Sequence, residues 1–274
     1  LASFYKVLEK LQIPHEKIVT IAGIGCSSRF PYFVNGHGLH FIHGRALPLA
    51  TGISLSRPDL HVFAFGGDGD GFSIGGNHLD HAARKNANLT YIIMDNFVYG
   101  LTKKQTSPTS PIGFKSKTDP TGAIDQPINP MKKLVGGGAS FVARSHAAQV
   151  KTMMAFSSRA ILHPDFSRGR SSFECVVFYP RFVSRRNPKG GEFATIEEKQ
   201  WDDTPEDEER HDTTDQDAAF HLASGQYPGK FGVYFEVDRP SKNQLEQKWI
   251  DDTQEKIGNA STKDLLSQRF ASMK

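Results

Sequence analysis

This sequence has few cysteines, no long apolar run and no excess of charge of either sign. Only Cys26 and Cys175 occur among 274 residues, which argues against a secreted fold built on disulfides and favours a reducing cytoplasm. No run of about 20 apolar residues is present, so no membrane span is predicted. The 33 basic and 30 acidic residues leave a formal net charge of +3, which gives no broad electrostatic case for nucleic-acid binding.

The length and the apolar content predict one main domain. A chain of 274 residues with 38% hydrophobic content can bury one α/β core, with some chain left for a second small region. The beginning, LASFYKVLEK, has no initiator Met and no charged lead into an apolar signal stretch, so we expect it to be part of a longer chain. Helices and strands alternate, which predicts a doubly wound, mostly parallel sheet of the α/β class. The predicted helices are 1–11, 74–86, 129–135, 146–162 and the polar end from 245, and the predicted strands are 18–24, 61–65, 89–95, 140–144, 171–179 and 230–238.

The most informative stretch is one βαβ crossover between residues 61 and 100. A strand at 61–65 runs into the loop 66–71, Gly-Gly-Asp-Gly-Asp-Gly, which has almost no side-chain bulk and two carboxylates. A second strand, 89–95, ends in a polar run that begins at Asn96. Ligands of open parallel sheets bind outside the carboxyl ends of the strands. We therefore expect Asp68 and Asn96 to be neighbours at one edge of the sheet.

These two loops have the composition of a magnesium and diphosphate site. Mg²⁺ prefers six hard oxygens, usually one or two protein groups together with phosphate oxygens and water. The Asp68 carboxylate, the Asn96 amide oxygen and a backbone carbonyl near Val98 would supply three of the six. Gly67 and Gly69 would let the backbone approach the phosphates without a Cβ in the way. The second carboxylate, Asp70, is expected to face backbone or solvent.

Other sites fit the sequence less well. The Asp-Gly pairs alone could be a plain turn, which the βαβ spacing to Asn96 disfavours. A calcium loop of the EF-hand kind needs an acidic residue where Leu79 stands. The glycines at 23 and 25 lack the third glycine and the acidic residue of a nicotinamide site. Histidines spaced by three, which could hold a metal, occur at His37, His40 and His43 and again at His78 and His81. The first set lies in a glycine-containing, loop-like segment without acidic or thiol partners.

Four motifs follow one another in a fixed order. They are Gly25-Cys26-Ser27-Ser28-Arg29; the run 42–48, IHGRALP; Gly67-Asp68-Gly69-Asp70 with Ile74-Gly75-Gly76-Asn77-His78; and Tyr99-Gly100-Leu101-Thr102, through Gln105 to Ser107-Pro108-Thr109. The third, with Asn96, resembles the diphosphate motif of thiamine-diphosphate enzymes. Together the four resemble the β subunit of 2-oxoacid:ferredoxin oxidoreductases, and most of all its 2-oxoglutarate branch. The resemblance covers about 18–187 and returns weakly at 232–240.

The resemblance implies a fold of the thiamine-diphosphate-binding type and an oxidoreductase activity. A 2-oxoacid would be decarboxylated, its acyl group taken by coenzyme A, and electrons passed through a 4Fe-4S cluster to ferredoxin. In these enzymes a glutamate that activates the cofactor belongs to a partner α subunit, so we expect a heterodimer whose β chain alone is inactive. Pyruvate or a branched-chain 2-oxoacid is an alternative substrate, and a non-catalytic cofactor-binding subunit is an alternative function. The implied cofactor-binding residues are Cys26, Ser27, Gly67, Asp68, Gly69, Asp70, Asn96, Tyr99, Gly100, Leu101 and Thr102.

The resemblance also implies catalytic residues. The run His43-Gly44-Arg45 would enter the active-site side of the first crossover helix, so His43 and Arg45 are expected to contact cofactor or substrate. Arg29, at the same sheet edge, could pair bidentately with a substrate carboxylate. The loop 99–111 is expected to cover the site. The family's glycine near Lys104 is absent here, so its loop shape is an open question.

Cys26 is implied to ligate the 4Fe-4S cluster. In the resembled family a Cys-x-x-Cys pair near the N-terminus and a late fourth cysteine complete the set. An all-cysteine cluster needs four thiolates, and this sequence carries two. Tyr179 falls where the fourth cysteine should be, and Cys175 lies slightly earlier. The printed sequence is therefore predicted not to complete the cluster.

The composition changes after residue 188. We predict a thiamine diphosphate and Mg-binding α/β domain at 1–188, an acidic and partly irregular segment at 189–228, and a C-terminal strand and helical extension at 229–274. Between 197 and 217, eleven acidic residues accompany only Lys199 and Arg210. Such a block is typical of a solvated or disordered segment, although Trp201 and Phe220 could anchor it on a partner.

Overall fold

The computed structural model describes residues 1–147, 150–172, 175, 177, 211–224, 231–258 and 260–273. Both predicted domain boundaries, at 188 and 228, lie outside the described residues, as do Tyr179, Trp201 and most of the acidic segment. In the described ranges, no helix is long and apolar enough to cross a membrane.

A seven-stranded sheet forms the centre of the described structure. Its strands are β1 Ile18–Ala22, β2 His37–His40, β3 His61–Gly67, β4 Leu89–Asp95, β5 Phe141–His146, β6 Phe166–Ser172 and β7 Gly232–Glu236. They lie in the order β2-β1-β3-β4-β6-β5-β7. Every neighbouring pair is parallel except β5 and β7, which are antiparallel. The prediction of a mostly parallel α/β sheet is therefore confirmed, and the C-terminal strand belongs to the same sheet.

The described structure has eight helices. They are α1 Ala2–Lys10, α2 Ala46–Ser56, α3 Gly76–Lys85, α4 Pro130–Gly136, α5 Val150–Leu162, α6 Gln216–Leu222, α7 Lys242–Ile257 and α8 Thr262–Ala271. The first six pack on the two faces of the sheet, whereas α7 and α8 contain no buried residue. Side chains alternate between faces along β3, so Val62 and Ala64 join the core under α2, α3 and α4. Phe63 and Phe65 point the other way and meet Phe4 of α1 edge-on, at ring distances of 5.0 and 5.6 Å. Burial of each such phenylalanine stabilises the fold by about 1.5–3 kcal/mol, and it holds β3 rigidly below its C-terminal loop.

One predicted strand lies mostly outside the described residues, and one predicted loop was wrong. Most of the strand predicted at 171–179 is not described, and the described strand β6, Phe166–Ser172, pairs in parallel with β4 and β5. The histidine segment predicted as a loop forms β2, a short edge strand that pairs in parallel with β1 and packs Leu39 against the core. Its glycine at 38 lies close to Pro31, so the absence of a side chain favours the strand there. Neither strand has the alternating pattern on which sequence prediction depends.

The helix predicted at 74–86 is correct in type but is preceded by an unusual turn. A π-helical segment, Gly69–Ile74, follows β3 directly, and α3 begins only after Gly75. Wide helical turns of this kind often occur at functional sites. Here the turn carries Asp70 back towards the ends of β1 and β2 instead of along the helix axis.

Candidate active site

A cleft opens at the carboxyl ends of β1, β3 and β4. Its walls contain all eleven residues expected to bind the cofactor, together with His43 and Val98. The loops that follow three adjacent parallel strands thus converge, as the topology requires. Arg29 and Arg45 are not among the residues that line this cleft. The residues expected to bind the cofactor therefore lie together, as the sequence predicted, whereas the two arginines lie outside the lining of the cleft.

Three polar groups at the floor of the cleft face one another. One terminal atom of the Asn96 amide lies 3.1 Å from Asp68 Oδ1 and 2.7 Å from the Val98 carbonyl oxygen. With the amide nitrogen in this position, Asn96 donates a hydrogen bond to both oxygens. With the amide oxygen there, three oxygens converge, and either a proton on Asp68 or a cation would satisfy them.

This donor set fits Mg²⁺ better than a softer metal. All three groups are hard oxygen ligands, and only one carries a formal charge, which leaves room for diphosphate oxygens. In the part of the chain that the structure describes, no group of three or more His, Cys, Asp or Glu side chains could hold a metal ion. A cation at this site would therefore depend on Asp68, on an amide and on a backbone carbonyl.

Asp68 lies in a second network below the cleft. The Thr109 hydroxyl is 3.0 Å from Asp68 Oδ2 and 2.9 Å from Asp95 Oδ1, and all three residues are buried. Burial, and then the charge of Asp95, raise the pKa of Asp68 well above its usual range, against the opposing hydrogen bonds from Ser107 and Thr109. A divalent cation on the other side of Asp68 would offset this repulsion. Sequence analysis gave Thr109 no role of its own, and only its place in the fourth motif indicated it.

Asp70 is buried and faces the backbone of neighbouring loops. Its Oδ1 accepts hydrogen bonds from the Ile24 amide at 3.1 Å and the Gly44 amide at 2.7 Å, and it lies 2.7 Å from His43 Nδ1. A side chain at Gly23 would overlap the Asp70 carboxylate. Asp70 thus connects the loops that follow β1, β2 and β3. The contact with backbone agrees with the expectation, and solvent contact is excluded by its 3% exposure.

His43 and Tyr99 stand together at the mouth of the cleft. Their ring centroids are 6.2 Å apart in an edge-to-face arrangement. The Tyr99 hydroxyl donates a long hydrogen bond, 3.4 Å, to the Gly69 carbonyl, and its ring occupies the space that a Gly69 side chain would need. Burial raises the pKa of Tyr99 above its usual range, so the phenol stays neutral at physiological pH.

The two predicted arginines have other contacts. Arg45 precedes α2, and its Nη1 donates to the Ile74 carbonyl at 3.1 Å, which ties the β2–α2 loop to the π-helical turn. Arg29 lies in a 3₁₀-helical segment, Cys26–Phe33, and its guanidinium is 5.0 Å from the centre of the Tyr32 ring. Arg29 is exposed, so its side chain has room to reposition toward a ligand.

The loop expected to cover the cleft closes on itself. Tyr99 and Gln105 pair in a short antiparallel bridge, with the Tyr99 amide 3.1 Å from the Gln105 carbonyl. Lys103 and Lys104 form the turn between them, and both have a φ of 76°. A left-handed backbone is typical of glycine. The loop therefore keeps a turn of the glycine type although a lysine stands at position 104.

Cys26 and Cys175 both lie beside Gly100. A Cβ built on Gly100 would lie 3.2 Å from the Cys26 sulfur and 3.5 Å from the Cys175 sulfur. Burial, followed by the neighbouring Cys175, raises the pKa of the Cys26 thiol, while a hydrogen bond from the Leu101 backbone opposes the shift. Sequence analysis singled out Cys26 and left Cys175 open, because 149 positions separate them and only the fold brings the two sulfurs together.

Comparison with known proteins agrees with this geometry. The family model "Thiamine pyrophosphate enzyme, C-terminal TPP binding domain" matches residues 23–167. The 2-oxoglutarate oxidoreductase subunit KorB of Mycobacterium tuberculosis is 52% identical over 138 residues, which are 50% of this chain and 37% of that protein. The 2-oxoglutarate synthase subunit KorB of Methanocaldococcus jannaschii is 40% identical over 185 residues, 68% of each protein.

A solved structure is similar over almost the whole chain. It is the 2-oxoglutarate:ferredoxin oxidoreductase from Magnetococcus marinus with 2-oxoglutarate, coenzyme A and succinyl-CoA bound. The TM-score is 0.84 at 36% identity, and the match covers 99% of this chain and 88% of that one. With its strand-end cleft, its Asp68–Asn96 pair and these relatives, the chain belongs to the thiamine pyrophosphate enzymes and, among them, to the KorB or β subunits of the 2-oxoacid:ferredoxin oxidoreductases.

Proposed function

We propose that this chain is the β subunit of a 2-oxoglutarate:ferredoxin oxidoreductase. The complex would decarboxylate 2-oxoglutarate oxidatively, form succinyl-CoA and pass electrons to ferredoxin. The observation that carries the proposal is the convergence of Asp68, Asn96 and the Val98 carbonyl at the carboxyl ends of β3 and β4. The names of the relatives, and the molecules bound in the Magnetococcus marinus structure, support the choice of 2-oxoglutarate.

The chain's own residues would hold the cofactor and its metal. Asp68 Oδ1, the Asn96 amide oxygen and the Val98 carbonyl are proposed to bind Mg²⁺, and the Asn96 amide would rotate to present oxygen when the cation enters. Gly67 would let the backbone approach the diphosphate. When bound, thiamine diphosphate supplies the electron-sink chemistry that breaks the bond between keto carbon and carboxylate. Cys26, Ser27, Tyr99, Gly100, Leu101 and Thr102 would form the remaining walls.

The catalytic residues are proposed from their place around this cleft. His43 lines the cleft and can exchange a proton or a hydrogen bond with a bound ligand. Arg29 is exposed at the same edge and would clamp a substrate carboxylate. Arg45 donates a hydrogen bond to the Ile74 carbonyl. Its role would therefore be to keep the β2–α2 loop, which carries His43, in place unless substrate displaces the Arg45 side chain.

The iron-sulfur cluster fits the chain only in part. Cys26 is proposed as one ligand, and the adjacent sulfur of Cys175 makes it the natural second. A Cys₄ cluster needs two more thiolates than the 274 residues contain. The other ligands would therefore come from outside this sequence, and the partner α subunit would supply the remaining catalytic groups.

The test is coenzyme A-dependent reduction of methyl viologen by the full-length protein co-expressed with its neighbouring α subunit. We expect activity with 2-oxoglutarate and little with pyruvate, and none with the β chain alone. The Asp68→Asn complex is the matched control, since it should assemble but not turn over. Activity on pyruvate alone would refute the substrate, and thiamine diphosphate binding without turnover on any 2-oxoacid would favour a non-catalytic subunit.

A further inference from the structure

We propose that Asp70 is a positioning residue for His43. It would hold the imidazole with Nδ1–H directed at the carboxylate, so that Nε2 is presented to the cleft as the proton acceptor. The inference rests on the proposed function, because it concerns the same cleft and deepens the role of His43. It gives the second aspartate of the Gly67–Asp70 motif a task that is distinct from metal binding.

Contacts other than the one with His43 already fix the position of the Asp70 carboxylate. Oδ1 accepts hydrogen bonds from two backbone amides, of Ile24 at 3.1 Å and Gly44 at 2.7 Å. Asp70 is 3% exposed, and a Cβ at Gly23 would overlap its carboxylate. Since each amide belongs to a different loop, the carboxylate cannot rotate without breaking contacts on two sides.

This fixed oxygen determines the orientation of the imidazole. His43 Nδ1 lies 2.7 Å from the same Asp70 Oδ1. An ionised carboxylate is only an acceptor, so Nδ1 must carry the hydrogen, and in the neutral ring the lone pair is then on Nε2. Among the residues that the structure describes, none is hydrogen-bonded to Nε2. Tyr99 packs edge-on against the ring and leaves 27% of the His43 side chain exposed.

The same distances are compatible with a purely structural role, in which Asp70 and His43 only connect three loops. The two roles differ in what Nε2 does. If the contact is structural, any side chain that donates to Asp70 from the position of Nδ1 should suffice. If Asp70 positions His43 for chemistry, loss of Nε2 should abolish turnover even when the hydrogen bond to Asp70 is kept.

The orientation can be measured on the full-length protein without any activity. In protein labelled with ¹⁵N-histidine, two-bond ¹H–¹⁵N correlations distinguish the Nδ1–H from the Nε2–H form of each neutral ring, and the His43→Asn spectrum identifies the His43 signals. We expect His43 to be in the Nδ1–H form. Asp70→Ser should move His43 toward the Nε2–H form, and Asp70→Asn, which keeps an acceptor in place and is more certain to fold, should not. An Nε2–H form in the wild type would overturn the proposal.

Turnover of the complex with the α subunit supplies the second readout. His43→Asn places an amide nitrogen near the position of Nδ1 and should retain the melting temperature, but it should lower kcat by about 10²-fold or more because nothing replaces Nε2. Asp70→Ser, which removes the acceptor, should lower kcat with little change in KM for 2-oxoglutarate, and Asp70→Asn, which keeps it, should lower kcat less. Wild-type kcat in folded His43→Asn would overturn the proposal. An Nδ1–H wild type that turns over no 2-oxoacid would support the positioning and refute the proposed function instead.

Discussion

Asp68→Asn should stabilise the metal-free protein and at the same time abolish Mg²⁺-dependent binding of thiamine diphosphate. Asp68 is 2% exposed and shares the Thr109 hydroxyl with Asp95, which is fully buried. Burial and the charge of Asp95 raise the pKa of Asp68 from its usual 3.8 to about 7. At 1.36 kcal/mol per pKa unit, ionised Asp68 costs the folded state up to about 4 kcal/mol. An uncharged side chain of the same shape removes that cost.

The sign of the pH dependence follows from the same shift. The pKa of Asp68 is higher in the folded than in the unfolded chain, so the penalty is absent below about pH 4 and is complete above about pH 7. The free energy of unfolding of the metal-free wild type should therefore fall as pH rises across this window. Asp68→Asn should be more stable than the wild type at pH 8 and should lose much of this slope.

The assay is urea unfolding in EDTA at pH 5 and pH 8, together with calorimetric titration of thiamine diphosphate with and without Mg²⁺. Asp95→Asn is the matched control, because it relieves the same repulsion and leaves the metal ligand in place. Asp70→Asn should affect cofactor binding less than Asp68→Asn. If metal-free Asp68→Asn were less stable than the wild type, the inferred repulsion would be wrong, and wild-type cofactor affinity would refute the metal assignment.

Three further outcomes are expected. Thr109→Val removes a hydroxyl shared by two carboxylates and should lower the free energy of unfolding by about 1.5–3 kcal/mol in urea, whereas Thr109→Ser, which keeps the hydroxyl, should lose less. Lys104→Gly should be more stable than Lys104→Ala by about 1 kcal/mol, because a φ of 76° is strained for any side chain, and equal stabilities would contradict this. Burial and a neighbouring arginine lower the pKa of His146 to about 4. The neutral ring should therefore stabilise the protein above pH 6.5, and that contribution should be lost as pH falls toward 4. His146→Gln should reduce the fall in melting temperature between pH 6.5 and pH 4.

The sequence was sufficient for the centre of the fold. The strands β3 and β4 are apolar runs that are followed directly by Asp68 and Asn96, and parallel topology then requires these two residues to meet. The sequence did not predict edge strand β2 or most of strand β6, because pairing with neighbouring strands leaves no regular pattern in their side chains. Local pattern thus predicts strands that bury side chains and fails for strands defined by their neighbours.

The detail of the site depended on contacts between distant positions. Thr109 reaches Asp68 across 41 residues, because the covering loop returns beneath the cleft after its turn at Lys103 and Lys104. Asp70 reaches the Ile24 amide across 46 residues, because a π-helical turn redirects it. Hydroxyl and carboxyl residues are common in polar loops, so their composition alone does not indicate which of them will meet.

The glycines of the motif serve two different purposes, although the sequence presents them alike. A side chain at Gly69 would overlap the Tyr99 ring, so that glycine is required by the packing of the protein itself. At Gly67 a Cβ would lie 3.5 Å from the Ser27 Oγ and 3.8 Å from the Met94 carbonyl oxygen, which are ordinary contact distances. Protein packing therefore does not demand glycine at 67, and the space beside it belongs to the cleft. Of the two, Gly67 is the residue whose missing side chain leaves space in the cleft, and it lies directly before the carboxylate proposed to hold the metal.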